Sequence, residues 1–216
     1  MNAIIIGATG ATGREVVLQL LADPSVDSVT VLVRKPFFSE DSKLNEIIVD
    51  FERLEEYADL IDGDIAISTL GTTRKIAGSK QAQWHVDYDY QLKFAALAKQ
   101  KNIDTFVLLS AFKANPTSRL FYSRMKGQLE EDIKLLGFPR LIIFKPGLIE
   151  RPNSERKEEK ISFSVLNFFN RIGLFKSFSP VSTINLAKII VDVYFHQVGE
   201  RVEVYESNFI LNHVAT

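Results

Sequence analysis

Apolar residues along the 216-residue chain fall into two alternating kinds of run. One kind is short and nearly continuous: Ile4-Ile5-Ile6, Ser28 to Val33, Glu46 to Val49, Asp64 to Ser68, Thr105 to Ser110 and Leu141 to Phe144. The other repeats at helical spacing, in Val16, Val17, Leu20 and Leu21, in the stretch from Lys80 to Lys101, and in Met125, Leu129, Ile133 and Leu136 of a helix from Ser118 to Leu136. Strands without polar alternation, separated by helices, suit a parallel sheet covered on both faces. The pattern predicts an α/β fold, a doubly wound parallel sheet, in a single domain over residues 1–216.

Beyond Gly147 the pattern changes. Glu150 to Lys160 is charged, contains Pro152 and has no apolar period, which reads as a solvated loop or as a lid. The next stretch is aromatic, and Phe163, Phe168, Phe169, Phe175 and Phe178 read either as a pocket wall or as local core. Ser182 or Thr183 can cap a helix with the stripe Leu186, Ile189, Ile190, Val193 and Tyr194, and Arg201 to Tyr205 reads as a last strand. Residues 147–216 are therefore expected to contribute a small C-terminal lobe on the substrate side.

The junction of the first strand and first helix carries Gly7, Gly10 and Gly13. Such a turn brings a dinucleotide pyrophosphate onto a helix N-terminus, where a Cβ would obstruct the approach of backbone to phosphate. The G-x-x-G-x-x-G spacing fits the general dinucleotide fingerprint only loosely, and a glycine-rich turn alone also suits a structural hinge.

Composition narrows the classes. A net charge of −1 leaves no footprint for nucleic acid or an anionic membrane. The absence of cysteine excludes disulfides and thiolate chemistry, and His85, His196 and His213 are scattered without metal-ligand spacing, so no metal is expected. No apolar run is long enough to span a bilayer, and a first strand starting at residue 2 leaves no room for a targeting peptide, so the expectation is a soluble, cytoplasmic protein. Phosphate-loop and kinase signatures are missing.

Tyr122-Ser-Arg-Met-Lys126 puts a phenol and an ammonium on one helix face. A neighbouring positive charge favours the phenolate and brings the tyrosine toward a useful range for proton transfer. Ser110 ends the preceding strand, where a hydroxyl can hold a carbonyl oxygen. Each feature alone is ordinary; their joint placement after a glycine-rich N-terminal unit is not.

These residues, with Leu70-Gly-Thr-Thr-Arg74, Ala77-Gly78, Val86-Asp-Tyr-Asp-Tyr90, Leu108-Leu-Ser110, Tyr122 to Glu130, Lys145-Pro-Gly147 and Tyr205-Glu-Ser-Asn208, resemble the short-chain dehydrogenase/reductase superfamily. The resemblance is to its extended or atypical branch with the TGxxGxxG turn, and within it to the oxidoreductase family named for the HIV Tat-interactive protein. It implies an NAD(P)-binding Rossmann fold, with Tyr122 as the general acid in hydride transfer to a small carbonyl. Lys126 would lower the Tyr122 pKa and hydrogen-bond the nicotinamide ribose, and Ser110 would position the carbonyl. Gly7, Thr9, Gly10, Ala11 and Thr12 would surround the pyrophosphate, and Gly13 would let the helix pack close. Asp50 and Phe51 would lie near the adenine, Leu70 and Gly71 beside the ribose, Pro146 near the nicotinamide, and Thr72 would also contact the cofactor. The family's relay asparagine is replaced here by Val86-Asp87.

Charge argues the cofactor choice. NAD sites place an acid after the second strand; this chain has Arg34-Lys35 there, and Arg14 after the glycine turn, which suits the 2′-phosphate of NADP(H). Three functions follow: an NADPH-dependent reductase, a non-catalytic NADP(H)-binding module that regulates a protein partner, and a nucleotide-sugar epimerase. The short segment after Gly147 argues against the last. Helices between residues 80 and 136 offer a surface for homo-oligomers.

Overall fold

Strand β1 (Asn2–Ile6) sits inside a sheet of seven parallel strands, with order β3-β2-β1-β4-β5-β6-β9. The other strands are β2 (Ser28–Val33), β3 (Leu44–Ile48), β4 (Ile65–Ser68), β5 (Thr105–Leu109), β6 (Arg140–Lys145) and β9 (Val202–Glu206). The computed structural model describes residues 1–150, 180–196 and 199–214. Alternate residues of β1 enter different cores, because successive strand side chains point to opposite faces. Ile5 joins Val31, Ile67, Val107 and Ile142 on one face. Ile4 and Ile6 join Leu32, Ala66, Phe106 and Leu108 on the other.

Helix α1 (Ala11–Ala22) covers the first face with Val16, Val17 and Leu20. It packs there beside α6 (Thr183–His196), whose Leu186, Ile190 and Val193 belong to the same core. Ser182 supplies the cap of α6, its Oγ accepting Asn185 N–H at 3.1 Å. The second face is covered by α4 (Tyr90–Gln100) and α5 (Phe121–Leu136) through Phe94, Ala95, Ala98, Leu129 and Ile133. Of the residues assigned to a small C-terminal lobe, β9 pairs with β6 and completes the main sheet. Helix α7 (Ser207–Val214) follows it directly. The strands β7 (Ile149–Glu150) and β8 (Val181–Ser182) form a separate parallel pair. Both readings of Glu150–Lys160 and the aromatic stretch fall, but for Glu150, outside the described residues.

Four elements differ from expectation. Strand β3 begins at Leu44 rather than Glu46. A 3₁₀-helix, Phe51–Leu60, follows it, capped by the Asp50 carboxylate accepting Glu52 N–H at 3.0 Å. The single helix expected over Lys80–Lys101 is instead α3 (Lys80–Trp84), a π-helical turn (His85–Asp89) and α4, preceded by the short α2 (Arg74–Ala77). Helix α5 starts at Phe121 rather than Ser118, because Ser118 Oγ accepts Leu120 N–H and holds residues 118–120 in a turn.

Candidate active site

Strands β1 and β4 are neighbours, and the chain leaves them toward opposite faces of the sheet. This opens a crevice at their carboxyl ends, where doubly wound sheets bind ligands. The turn after β1 fills the floor of that crevice with backbone. Gly7 adopts φ +79°, and a Cβ on it would lie under 3.0 Å from Leu70 N in the loop after β4. A Cβ on Gly13 would overlap the Gly7 carbonyl, so glycine lets α1 press against the strand ends. Gly10 is the N-cap of α1 without a side-chain hydrogen bond, and the first turn holds no acid. The positive end of the helix and its free N–H groups are left for an anion from outside.

A cavity of about 190 Å³ opens on this helix end. It is lined by Gly10, Ala11 and Thr12 of the glycine turn, by Leu70, Gly71 and Thr72, and by Ser110, Tyr122 and Lys126. Nine of the residues selected from sequence therefore meet in one place. Ile76, Leu109 and Ile149 add apolar wall. Thr9, Arg34 and Lys35 line a second hollow of about 500 Å³ with Pro36 and Phe37. Gly7 and Gly13 shape the turn from below. Four further selected residues also line neither space. Arg14 is exposed on α1. Asp50 caps the 3₁₀-helix. Phe51 is buried against Tyr90, and the Pro146 carbonyl accepts Phe112 N–H at 3.0 Å.

The chemistry sits on a cluster of buried charge. Lys126 is fully buried, and burial pushes its ammonium pKa down, against the charges of Asp87 and Glu130. Asp87, from the π-helical turn, accepts Thr72 N–H at 2.6 Å and Gln83 Nε2 at 3.4 Å. Burial raises its pKa, opposed by Lys126 and these donors. Glu130, one turn beyond Lys126, accepts the Ser110 hydroxyl and lies 3.3 Å from Lys145 Nζ. Burial raises its pKa too, opposed first by Ser110 and then by Lys145. Tyr122, in the first turn of α5, is 44% exposed and faces the cavity from the solvent side.

Glu130, Lys145 and Gln91 were not singled out as site residues by sequence. Glu130 was findable, since it stands four residues after Lys126 on the same helix face. Lys145 figured only within the Lys145-Pro-Gly147 resemblance, and Gln91 gave no local signal. Gln91 takes the Ser68 hydroxyl at 2.8 Å and donates to the Asp87 carbonyl at 2.6 Å, tying β4 to the π-helical turn.

A family model described as NAD(P)H-binding matches residues 7–138. The protein fmp52, mitochondrial, of Emericella nidulans is 35% identical over 175 residues, 78% of this chain and 74% of its own length. HTATIP2 of Rattus norvegicus is 37% identical over 152 residues, 68% of this chain and 62% of its own. Among solved structures, the Bordetella bronchiseptica enzyme WbmH in complex with NAD+ superposes with TM-score 0.72 at 15% identity, covering 95% of this chain and 75% of that one. A short chain dehydrogenase from Burkholderia cenocepacia in complex with NADP gives 0.70 at 14% identity, covering 99% and 90%. The structural likenesses show the fold.

The cytoplasmic expectation is corrected by these relatives. FMP52 proteins of Emericella nidulans, Meyerozyma guilliermondii, Candida albicans and Saccharomyces cerevisiae all carry mitochondrial in their names. An N-terminal strand is no guide to compartment. The glycine turn, the crevice and these matches together assign the chain to the NAD(P)H-binding proteins of Rossmann fold, in the family of HTATIP2 and FMP52.

Proposed function

We propose that the chain is an NADPH-dependent reductase of a small carbonyl compound. One observation carries the reading: Ser110, Tyr122 and Lys126 share a cavity with the uncapped end of α1 and the loop after β4. The N–H groups of the glycine turn would hold the pyrophosphate, and Arg34 with Lys35 would grip the 2′-phosphate where an NAD site places a carboxylate. When bound, the cofactor supplies hydride. Tyr122 gives its phenolic proton to the substrate oxygen, and the buried Lys126 charge favours the phenolate left behind. Ser110 orients that oxygen. Ile76, Leu109 and Ile149 favour a substrate with apolar flanks. The names of the fungal relatives extend the proposal to mitochondria.

The second reading is a module that binds NADP(H) without turning it over. What favours it is the Ser110 hydroxyl, which donates to Glu130 rather than pointing its proton at the cavity. NADPH fluorescence titration, paired with NADPH oxidation in the presence of aldehydes, ketones and quinones, separates the two. The reductase binds and oxidises. Tight binding with no oxidation by any of the panel supports the module instead.

A further inference from the structure

We propose that Glu130 sets the direction of the Ser110 hydroxyl, and thereby whether the cavity receives a carbonyl or an alcohol; this rests on the reductase reading. A serine hydroxyl has one proton and two lone pairs. The Ser110 proton goes to Glu130 Oε1, and both groups are buried, with 6% and 4% of their surface exposed. An ionised carboxylate can only accept, so it keeps that proton and leaves Ser110 lone pairs toward the cavity. A carbonyl oxygen, itself only an acceptor, finds no donor in Ser110 and is left with Tyr122 alone. An alcohol finds an acceptor. Protonated Glu130 reverses the bond: its O–H donates to Ser110 Oγ, and the serine proton turns to the carbonyl. One proton enters from solvent, and no bond to carbon and no electron moves.

The surroundings provide for that proton. Glu130 Oε2 lies 3.3 Å from Lys145 Nζ, and Lys145 Nζ lies 3.4 Å from Glu206 Oε1. Glu206, at the end of β9, is 55% exposed and connects the chain of groups to water. The charges that act on Glu130 are Lys126 and Lys134 from α5 and Lys145 from β6. Behind them stand Asp87 of the π-helical turn and Glu206. Burial favours the neutral acid, and the Ser110 hydrogen bond, Lys145 and Lys134 favour the ion.

The experiment uses the protein loaded with NADP+, which cannot reduce, and 4-nitrobenzaldehyde as probe. Its dissociation constant and the infrared stretch of its carbonyl are followed against pH. In wild type, affinity falls roughly tenfold as pH rises, the value of one lost hydrogen bond, and the carbonyl stretch moves toward that of a free carbonyl. In Glu130→Gln the amide N–H donates to Ser110 Oγ at every pH, so affinity stays at the wild-type acid level. Ser110→Ala, which keeps every charge, binds weakly and without pH dependence. A pH-independent wild type, or a Glu130→Gln protein that keeps the wild-type slope, overturns the inference and leaves the reductase reading intact. If NADP+ binds and the aldehyde does not at any pH, the reductase reading falls. The infrared band of protonated Glu130 then decides alone: a titrating band that shifts in Ser110→Ala supports the switch, and its absence overturns it.

Discussion

Asp87 Oδ1 accepts the backbone N–H of Thr72 at 2.6 Å, so a carboxylate from the π-helical turn holds the loop that follows β4. The same carboxylate is a counter-charge to the buried Lys126. Its partners are a backbone N–H, an amide and a lysine charge. π-Helical turns recur at functional sites. Here the turn brings Asp87 inward to the site floor.

Removing one member of a buried charge pair leaves the other uncompensated. Asp87→Ala is expected to cost about 3–5 kcal/mol of stability by urea unfolding. Asp87→Asn keeps an acceptor for Thr72 N–H and is expected to lose less. Equal stability of Asp87→Ala and wild type would show that Asp87 does not neutralise Lys126.

The glycine turn makes a graded prediction. A Cβ at Gly13 meets backbone at the Gly7 carbonyl, whereas at Gly71 the nearest atom is Asp87 Oδ1 at 4.0 Å. Gly13→Ala should destabilise by about 1–3 kcal/mol through forced backbone shifts and weaken NADPH binding. Gly71→Ala should change unfolding little. Thermal melts with and without NADPH check both.

Cofactor preference is expected to follow Arg34, which lines the hollow beside Thr9. Arg34→Asp replaces a bidentate phosphate partner with a repelling charge. The NADPH-to-NADH affinity ratio should fall by tenfold or more, the order of one charge-assisted hydrogen bond. An unchanged ratio would remove the basis for choosing NADP.

His85 contacts Asp89 through Nδ1 at 2.7 Å and Glu52 through Nε2 at 2.9 Å, bridging the π-helical turn to the 3₁₀-helix. Asp89 first, then Glu52, raise its pKa above the ordinary 6.5. The folded state therefore binds this proton more tightly than the unfolded chain. The stabilisation is complete below the unfolded value and is lost as pH rises through the folded one. The ring is partly exposed, so the effect is small. Urea midpoints of wild type should fall across that window, and those of His85→Gln should fall less.

What was legible in the sequence follows from which interactions are local. Ile4-Ile5-Ile6 reads as a buried strand because a covered parallel sheet needs apolar residues on both faces, and the two cores divide them accordingly. The 3₁₀-helix was silent because its core residues Phe51, Leu54 and Tyr57 recur every three positions, not at the α-helical period, among Glu52, Arg53, Glu55 and Glu56, and Arg53 at φ −122° interrupts its helical geometry. Tyr122 and Lys126 were visible because four-residue spacing is a property of one helix. Ser110 and Glu130 are twenty residues apart on different elements, and only the packing of α5 beside the end of β5 joins them. Lys145 reaches Glu130 because β6 pairs with β5, a register that no local pattern announces.

In the reductase proposed here, hydride passes from NADPH to a carbonyl while Tyr122 donates the proton. NADPH deuterated at C4 tests it most directly, with the product alcohols of an aldehyde and ketone panel read by mass spectrometry. Wild type should place one deuterium on the former carbonyl carbon from a single C4 face. Tyr122→Phe should bind NADPH as wild type does and transfer roughly 10²–10⁴-fold more slowly, the usual worth of a general acid. Tight NADPH binding with no deuterium in any product, or transfer unaffected by Tyr122→Phe, would rule out Tyr122-assisted hydride transfer.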